Sequence, residues 1–277
     1  MRKIIFCTIA FVAVYSVRAQ SIKTPWPSPP QTIKQEFGVS NIELSYSRPG
    51  IKGRKVFGDL VPFGKVWRTG ANNATTLTFA DDVTIGNAKV PAGKYGLLTI
   101  PDKDSWTIII TKQTDVTSPA DYKQESDVVR VNVKPMAMKD KIETFTMQFA
   151  NVKPSSCELE MMWENTAVLL PIGAEVDSKV MKQIKDVMEK DNRPYFQAGL
   201  YYLDNNKDLN QAVAWFDKAI EQNPKAYWAL HQKANALAKL GKKQEAKATA
   251  QKSMDVAREE KNDDYVRLNE KLLVQLQ

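Results

Sequence analysis

Histidine and cysteine are almost missing from this chain, and their scarcity excludes several kinds of catalytic and metal site. The sequence has one histidine, His231, and two cysteines, Cys7 and Cys157. The residues before His231 include no histidine, so they cannot by themselves form a Ser-His-Asp or Cys-His arrangement. A structural zinc site needs several Cys and His ligands at set spacings, and no glycine-rich phosphate loop follows a strand-like segment. We expect neither a metal site nor a cofactor.

A concentrated stripe of basic residues is also missing. The chain carries 39 Lys and Arg against 32 Asp and Glu, a formal net charge of +7, and both signs are mixed along its length. A nucleic-acid-binding protein needs clustered cations that replace the counterions of the phosphate backbone. Nucleic acid is therefore not an expected partner.

The longest apolar run lies at the N-terminus and is typical of an export signal. It covers residues 4–17 and follows two basic residues, and small residues stand at its last position, 17, and at position 19. The run is shorter than the roughly 20 apolar residues that cross a bilayer. We predict a signal peptide over residues 1–19, cleavage before Gln20, no membrane span thereafter, and a periplasmic or secreted protein. The mature chain would keep Cys157 alone, so it could form no intramolecular disulfide.

Prolines cluster in "KTPWPSPP", residues 23–30. Four prolines in eight residues predict an extended leader rather than part of a folded domain, and we assign the leader to residues 20–31. We expect Trp26 to pin this leader onto the domain that follows.

Alternating apolar and polar residues dominate from residue 32 to residue 174. In "IELSY", for example, Ile42, Leu44 and Tyr46 fall on one face of a strand, and turn signals such as "GN" at residues 86–87 separate such segments. Short strands at this spacing, without helical segments between them, predict an all-β antiparallel sandwich or barrel. In the same region we expect Cys157 to be exposed and inert, because no basic residue beside it would lower its pKa.

Paired carboxylates are the remaining candidates for acid–base chemistry in the β region. They are Asp81, Asp82, Glu158, Glu160 and Glu164. Such pairs serve glycosidases, so one alternative is a carboxylate-dependent hydrolase acting on an envelope polymer. The simpler interpretation places these side chains in turns and on the solvent face of strands, and we favour a non-enzymatic protein.

The composition changes to alanine, leucine, lysine and glutamine over residues 175–277, and the sequence repeats itself there. Three residues return 34 positions later: Leu203, Ala212 and Lys218 as Leu237, Ala246 and Lys252. This period is typical of tetratricopeptide repeats, each made of two helices. We predict repeats at about residues 193–224 and 227–260, closed by a capping helix at about residues 263–276.

The first helix of each tetratricopeptide unit lines a concave face, which suggests a groove for a peptide or another protein partner. The residues at matching positions are Phe196, Leu200, Trp228, His231 and Asn235. Alternatively, two repeats are too few for a groove, and Trp228 and Phe196 pack against a neighbouring helix or the β domain. The sequence leaves both interpretations open.

One loop, "VPFGKVWRTGANNAT", combines glycines, a Trp-Arg pair and adjacent asparagines at residues 61–75. Together with "SRPGIKGR" before it and "PAGKYGLLTIP" after it, this loop resembles the exported bacterial family called domain of unknown function 2911. The resemblance covers about residues 25–172. It implies an exported β domain, often found with helical repeats, and it supplies no catalytic residues.

Several polar side chains of this loop and its neighbours could form a ligand site at one end of the β domain. The candidates are Arg48, Arg54, Trp67, Arg68, Asn72 and Asn73. Guanidinium and amide groups would bind a carboxylate, a phosphate or the hydroxyls of a glycan. The alternative is that these groups satisfy backbone carbonyls within an irregular loop. The favoured function is thus an exported binding protein whose β domain takes a small molecule, a glycan or a partner, and whose helical repeats contact proteins.

Overall fold

The computed structural model describes residues 24–189 and 193–277. The chain divides into a β unit that ends at Glu175 and a helical unit that begins at Val176. The predicted signal peptide and the first four residues of the predicted leader, residues 20–23, lie outside the described residues.

Within residues 24–175, the β unit consists of two antiparallel sheets. The first sheet has six strands in the order β1-β2-β3-β6-β7-β8: Pro30–Phe37, Ser40–Ser47, Thr76–Phe79, Gly93–Ile100, Trp106–Thr111 and Asp127–Val133. The second has four strands in the order β5-β4-β10-β9: Ala88–Val90, Val83–Ile85, Ser156–Ala174 and Met136–Lys153. Every strand pair is antiparallel, which confirms the predicted fold class of this half.

The core of the β unit lies between the two sheets. Leu44 and Leu77 of the first sheet and Met147 and Leu159 of the second belong to one cluster of buried apolar residues. Alternate residues of a strand point to the same face, so the alternation in "IELSY" buries Ile42 together with Leu44. Removing this apolar surface from water is the main stabilising contribution to the fold.

Hydrogen bonds also join the two sheets along one edge, where the chain leaves β2 and runs beside β9. The Tyr46 hydroxyl accepts a bond from the Met147 amide at 2.8 Å. The Phe145 amide donates to the Pro49 carbonyl, and the Ile51 amide to the Glu143 carbonyl, each at 2.8 Å. The loops that follow residue 51 therefore start from a fixed edge of the sandwich.

Cys157 lies in the core, so the expectation that it is exposed was wrong. Its side chain is 2% exposed, and it shares the inward face of β10 with Leu159, two residues along the strand. Burial, followed by the nearby charge of Glu158, raises the pKa of the thiol to about 11. The thiol is held in its neutral, unreactive form at neutral pH.

Trp26, which we expected to pin the leader, is not buried against the β unit: 53% of its surface is exposed. Backbone carbonyls hold the end of the leader instead. The Pro29 carbonyl accepts a bond from the Arg48 amide at 3.0 Å, and the Ser28 carbonyl accepts one from the Asn72 side chain at 2.9 Å. Strand β1 then begins at Pro30, two residues before the predicted start of the domain.

Within residues 176–189 and 193–277, the helical unit has six helices: α1 to α6 span Asp177–Met188, Tyr195–Asp204, Leu209–Gln222, Tyr227–Lys239, Lys243–Glu259 and Asp263–Gln275. Helices α2 and α3, and then α4 and α5, form the pairs of a tetratricopeptide array, and α6 follows them. Small residues allow the close packing: a Cβ atom added at Gly199 would stand 2.9 Å from the Phe216 ring. Across the described residues, no helix combines the length and the apolar composition needed to span a membrane.

Candidate functional site

The loop at residues 61–75 lines a cleft of about 350 Å³ in the β unit. Two indoles, Trp67 and Trp163, lie in its wall together with apolar side chains such as Pro62 and Val66. Three cationic side chains, Arg54, Lys65 and Arg68, also line it. The cleft is within the size range of small-molecule sites, which starts at about 300 Å³.

Backbone hydrogen bonds to β6 hold the loop in place. The Trp67 amide donates to the Thr99 carbonyl at 2.7 Å, and the Thr99 amide donates back to the Trp67 carbonyl at 2.9 Å. Two residues later, Thr69 is fully buried and its hydroxyl donates to the Thr99 hydroxyl at 3.0 Å. Thr69 has a φ of 55°, a strained value for a β-branched residue. Such strain persists where the surrounding structure enforces it, often at a ligand site.

Gly70 allows the chain to turn back against β2 at this point. Its φ is 154°, and a Cβ atom there would stand 2.9 Å from the Thr75 hydroxyl and 3.0 Å from the Ser47 carbonyl oxygen. The Gly70 carbonyl in turn accepts a bond from the Trp67 indole nitrogen at 3.2 Å. The glycine thus sets both the path of the loop and the orientation of the Trp67 ring.

Aromatic neighbours fix the two indoles of the cleft. The rings of Trp67 and Trp163 stack with centroids 5.8 Å apart and planes 19° apart. Phe57 and Phe145 meet Trp67 edge to face at centroid distances of 6.4 and 5.0 Å. Such contacts leave Trp67 little freedom, so the wall of the cleft is formed before any ligand arrives.

Arg68 is half-buried and its hydrogen-bonding capacity is incompletely used. One terminal nitrogen, Nη1, donates to the Thr117 carbonyl. The Nε atom is buried and has no partner among the described residues. A buried donor without an acceptor costs about 1–3 kcal/mol, so Arg68 carries an unsatisfied donor beside the cleft.

The other two cations of the cleft are exposed. Arg54 donates from Nε to the Ile51 carbonyl at 3.0 Å and from Nη2 to the Gly50 carbonyl at 2.8 Å, which fixes its position. Within residues 24–189 and 193–277, neither these two cations nor Arg68 form an ion pair. None of the described residues that line the cleft carries a carboxylate. The described side chains that line the cleft therefore carry positive charge and no negative charge.

The structure brings three of the six predicted ligand residues to this cleft, namely Arg54, Trp67 and Arg68. Arg48 points elsewhere: its Nε donates to the Phe145 carbonyl at 3.2 Å and its Nη2 to the Thr146 hydroxyl at 2.8 Å. Asn72 bonds the Ser28 carbonyl and, like Asn73, is not part of the cleft wall. The alternative interpretation, bonding to the fold itself, describes the contacts of Arg48 and Asn72. It also describes the bonds that Arg54 and Arg68 Nη1 donate to backbone carbonyls.

Sequence reasoning missed Lys65, Trp163 and Pro119 as residues of the cleft wall. Lys65 lies in the loop at residues 61–75, two positions before the Trp67-Arg68 pair. That pair was the signal in the sequence that could have identified Lys65 as a residue of the cleft. Trp163 lies on β10, 96 positions after Trp67 in the numbering of the chain. These indoles come together only because the two sheets pack against each other.

The carboxylates considered for hydrolysis lie outside the wall of this cleft. Asp82 accepts a bond from the Ala92 amide at 2.9 Å in a turn. Glu160 accepts one at 2.7 Å from the Gln148 side chain, across the β9–β10 pair. Within the described residues, no group of three or more His, Cys, Asp or Glu side chains is arranged to hold a metal ion.

Three of the five residues predicted for the helical groove contact other side chains of the helical unit: Phe196, Trp228 and Asn235. Phe196 packs on Phe216 at a centroid distance of 6.0 Å, and Trp228 meets Tyr227 edge to face at 4.9 Å. Asn235 donates to the Gln232 side chain at 3.2 Å. Leu200 is half-buried on α2.

His231, the fifth residue, is buried in a polar network that links three helices. Its Nδ1 atom lies 2.8 Å from the Asn269 side-chain oxygen. Asn269 donates to the Ser253 hydroxyl at 2.9 Å, and Ser253 donates to the Tyr227 carbonyl at 2.7 Å. The network ties α4 to α5 and α6, so His231 contributes to helix packing. Partner binding along this face stays a prediction.

Comparison with known proteins gives two kinds of match. The model of a family described as "Protein of unknown function (DUF2911)" matches residues 28–172. Two tetratricopeptide-repeat models match residues 193–225 and 215–248. These matches confirm the resemblance and the order of the two halves, and the repeats suggest contacts with protein partners. No curated protein and no solved structure matches the chain.

Proposed function

The chain belongs to the family described as "Protein of unknown function (DUF2911)", and because that description names no activity, we propose a function from the cleft itself. The β unit binds a small organic anion, and the tetratricopeptide repeats contact a protein partner. One observation carries the proposal: three cations and two indoles line a cleft whose described wall contains no carboxylate.

The chemistry of the cleft wall favours an anion over a neutral glycan. Arginine and lysine side chains donate hydrogen bonds and accept none, whereas the hydroxyl groups of a sugar need both donors and acceptors. A neutral ligand would also leave the charges of Arg54, Lys65 and Arg68 uncompensated. A carboxylate or phosphate would pair with them through charge-assisted hydrogen bonds.

Binding without catalysis fits the same wall. A reaction that moves a proton needs a general acid or base within hydrogen-bond reach of the substrate. The described residues of the wall include no Asp, Glu, His or Cys side chain, and their one lysine, Lys65, is exposed to solvent. The proposal therefore keeps the non-enzymatic function favoured by the sequence.

Export and partner binding complete the proposal. The basic and apolar pattern of residues 1–19 supports secretion to the periplasm or beyond the cell. The two repeat matches support a protein partner for the helical unit. A peptide or folded domain that docks there would bring the ligand-binding unit to a particular place in the cell envelope.

Substitution of Arg68 tests the proposed anion site. We expect 2-naphthoate, a small fluorescent carboxylate, to bind the full mature chain, and Arg68→Gln to weaken that binding at least tenfold. Loss of a hydrogen bond to a charged group costs about 1.5–3 kcal/mol, and 1.4 kcal/mol corresponds to a factor of ten. Isothermal titration calorimetry measures both dissociation constants.

A matched control for this test is Lys89→Gln. Lys89 is an exposed cation on β5 outside the cleft wall, so its loss should leave 2-naphthoate binding unchanged. Equal affinity of the Arg68→Gln variant and the unaltered protein would reject the anion site, provided that both unfold at the same temperature.

A further inference from the structure

The arrangement of charge and apolar surface narrows the class of anion. Resting on the proposed function of the cleft, we infer that the ligand is a carboxylate of single charge on a flat apolar body, about the size of a fused two-ring aromatic acid. Three features of the cleft carry this inference: the solvent exposure of its cations, the hydrogen bonds already made by its indole nitrogens, and its volume.

The first feature is that only one cation is withdrawn from solvent. Arg68 is half-buried, whereas Arg54 and Lys65 are exposed. One half-buried guanidinium group matches one carboxylate, whose two oxygens fit its planar fork. A phosphate with two negative charges would bring a second charge out of water without a buried partner, which is unfavourable. The charge pattern therefore favours a monoanion.

The second feature is that the indole nitrogens are already used. The Trp67 nitrogen donates to the Gly70 carbonyl at 3.2 Å, and the Trp163 nitrogen donates to the Glu143 carbonyl at 3.3 Å. Trp163 is only 2% exposed, so the half-buried Trp67 supplies the aromatic surface that the cleft presents, and that surface is carbon. Pro62, Val66 and Pro119 add further apolar wall, so the part of the ligand away from its carboxylate gains most by being apolar.

The third feature is the size of the space. A volume of about 350 Å³ holds roughly twelve groups of the size of a water molecule, at about 30 Å³ each. A two-ring aromatic carboxylate fills such a space. Acetate would leave most of the apolar wall in contact with water, and it would gain little from the indoles.

The exposed cations have a separate effect on such a ligand. Charges at the mouth of a cleft increase the rate at which an oppositely charged ligand arrives, and salt screens this effect. Lys65→Gln should therefore slow association of the carboxylate by about twofold or more at low salt and change its dissociation rate little.

A panel of four probes tests the inference on the full mature chain by calorimetry. The probes are 2-naphthoate, its neutral amide 2-naphthamide, acetate, and 2-naphthyl phosphate. We expect 2-naphthoate to bind best and each of the other three to bind at least tenfold more weakly. Arg68→Gln should remove the preference for the acid over the amide. Arg68→Lys, which keeps the charge and loses the fork, should bind 2-naphthoate with intermediate affinity.

The outcomes separate this inference from the proposed function on which it rests. Equal binding of acetate and 2-naphthoate would overturn the apolar body and leave anion binding intact. Tighter binding of 2-naphthyl phosphate would overturn the single charge and again leave anion binding intact. Equal binding of the acid and the amide, or failure of every probe to bind, would reject the anion site and the inference together. As a control, each variant should unfold at the same temperature as the unaltered protein. A loss of affinity is then not caused by a loss of folding.

Discussion

Two glycines of the cleft loop, Gly64 and Gly70, differ in how closely their neighbours approach. Gly64 has a φ of 68° and no heavy atom within 4 Å of a built Cβ atom. Gly70 has a φ of 154° and two oxygens at 3.0 Å or less from that position. An alanine at Gly64 meets only an unfavourable backbone angle, whereas one at Gly70 also collides with Thr75 and Ser47.

We predict a larger loss of stability for Gly70→Ala than for Gly64→Ala. The left-handed backbone costs an alanine about 1–2 kcal/mol, and forced overpacking adds about 1–3 kcal/mol at Gly70. Urea unfolding, followed by tryptophan fluorescence, measures the two free energies of unfolding. If both variants lost the same free energy of unfolding, the loop could move away from β2 without cost. That result would contradict the fixed path that we describe for the loop.

Single residues also show the limits of sequence reasoning at the cleft. The Trp-Arg pair and Arg54 could be proposed as ligand groups from their types and spacing, and they do line the cleft. Arg48 has the same chemistry, yet it bonds β9 because the chain crosses between the sheets beside it. Which acceptor an arginine meets depends on long-range strand pairing, which residue type does not encode.

At the scale of elements, the network around Asn269 joins three helices of the helical unit. Asn269 is fully buried and bonds both His231 and Ser253. Replacement by alanine would leave His231 Nδ1 without this partner, at about 1–3 kcal/mol for a buried polar group. It would also remove the bond to Ser253, at about 0.5–1.5 kcal/mol, because Ser253 keeps its bond to the Tyr227 carbonyl. We predict that Asn269→Ala destabilises the helical unit by about 2–4 kcal/mol, measured by loss of helical circular dichroism in urea.

Asn235→Ala on α4 is the matched control for this network. Asn235 is half-buried and donates only to the Gln232 side chain, so its loss should change the free energy of unfolding by about 0.5 kcal/mol or less. If both variants lost equal stability, the buried network would not be what holds α4, α5 and α6 together.

Elements were predicted unevenly, and the reason is physical. The spacing of 34 residues located the paired helices well, because each repeat buries its own small and large residues locally. Alternation identified segments of β9 and β10 but not their lengths of 18 and 19 residues. Their pairing register shifts near Glu164, which has a φ of 54°. Such irregularities break the period of two that alternation depends on.

At the scale of the molecule, each unit has buried apolar clusters of its own. We predict that residues 20–175 and residues 176–277 each fold cooperatively when produced separately, because an independent core is what lets a domain fold alone. Calorimetry of the two pieces and of the mature chain measures this. A β piece that stays unfolded would indicate that the helical unit supports it, and then the helices would have no separable binding function.

The hydrogen bond from the Asn72 side chain to the Ser28 carbonyl has a practical consequence for production of this protein. Ser28 lines the cleft as well as bonding Asn72, and the predicted processing point at Gln20 is eight residues upstream in the sequence. Eight residues span at most about 29 Å when fully extended. An acidic affinity tag fused ahead of Gln20 could thus reach the proposed ligand site and compete there for the cations. Purification tags belong at the other terminus.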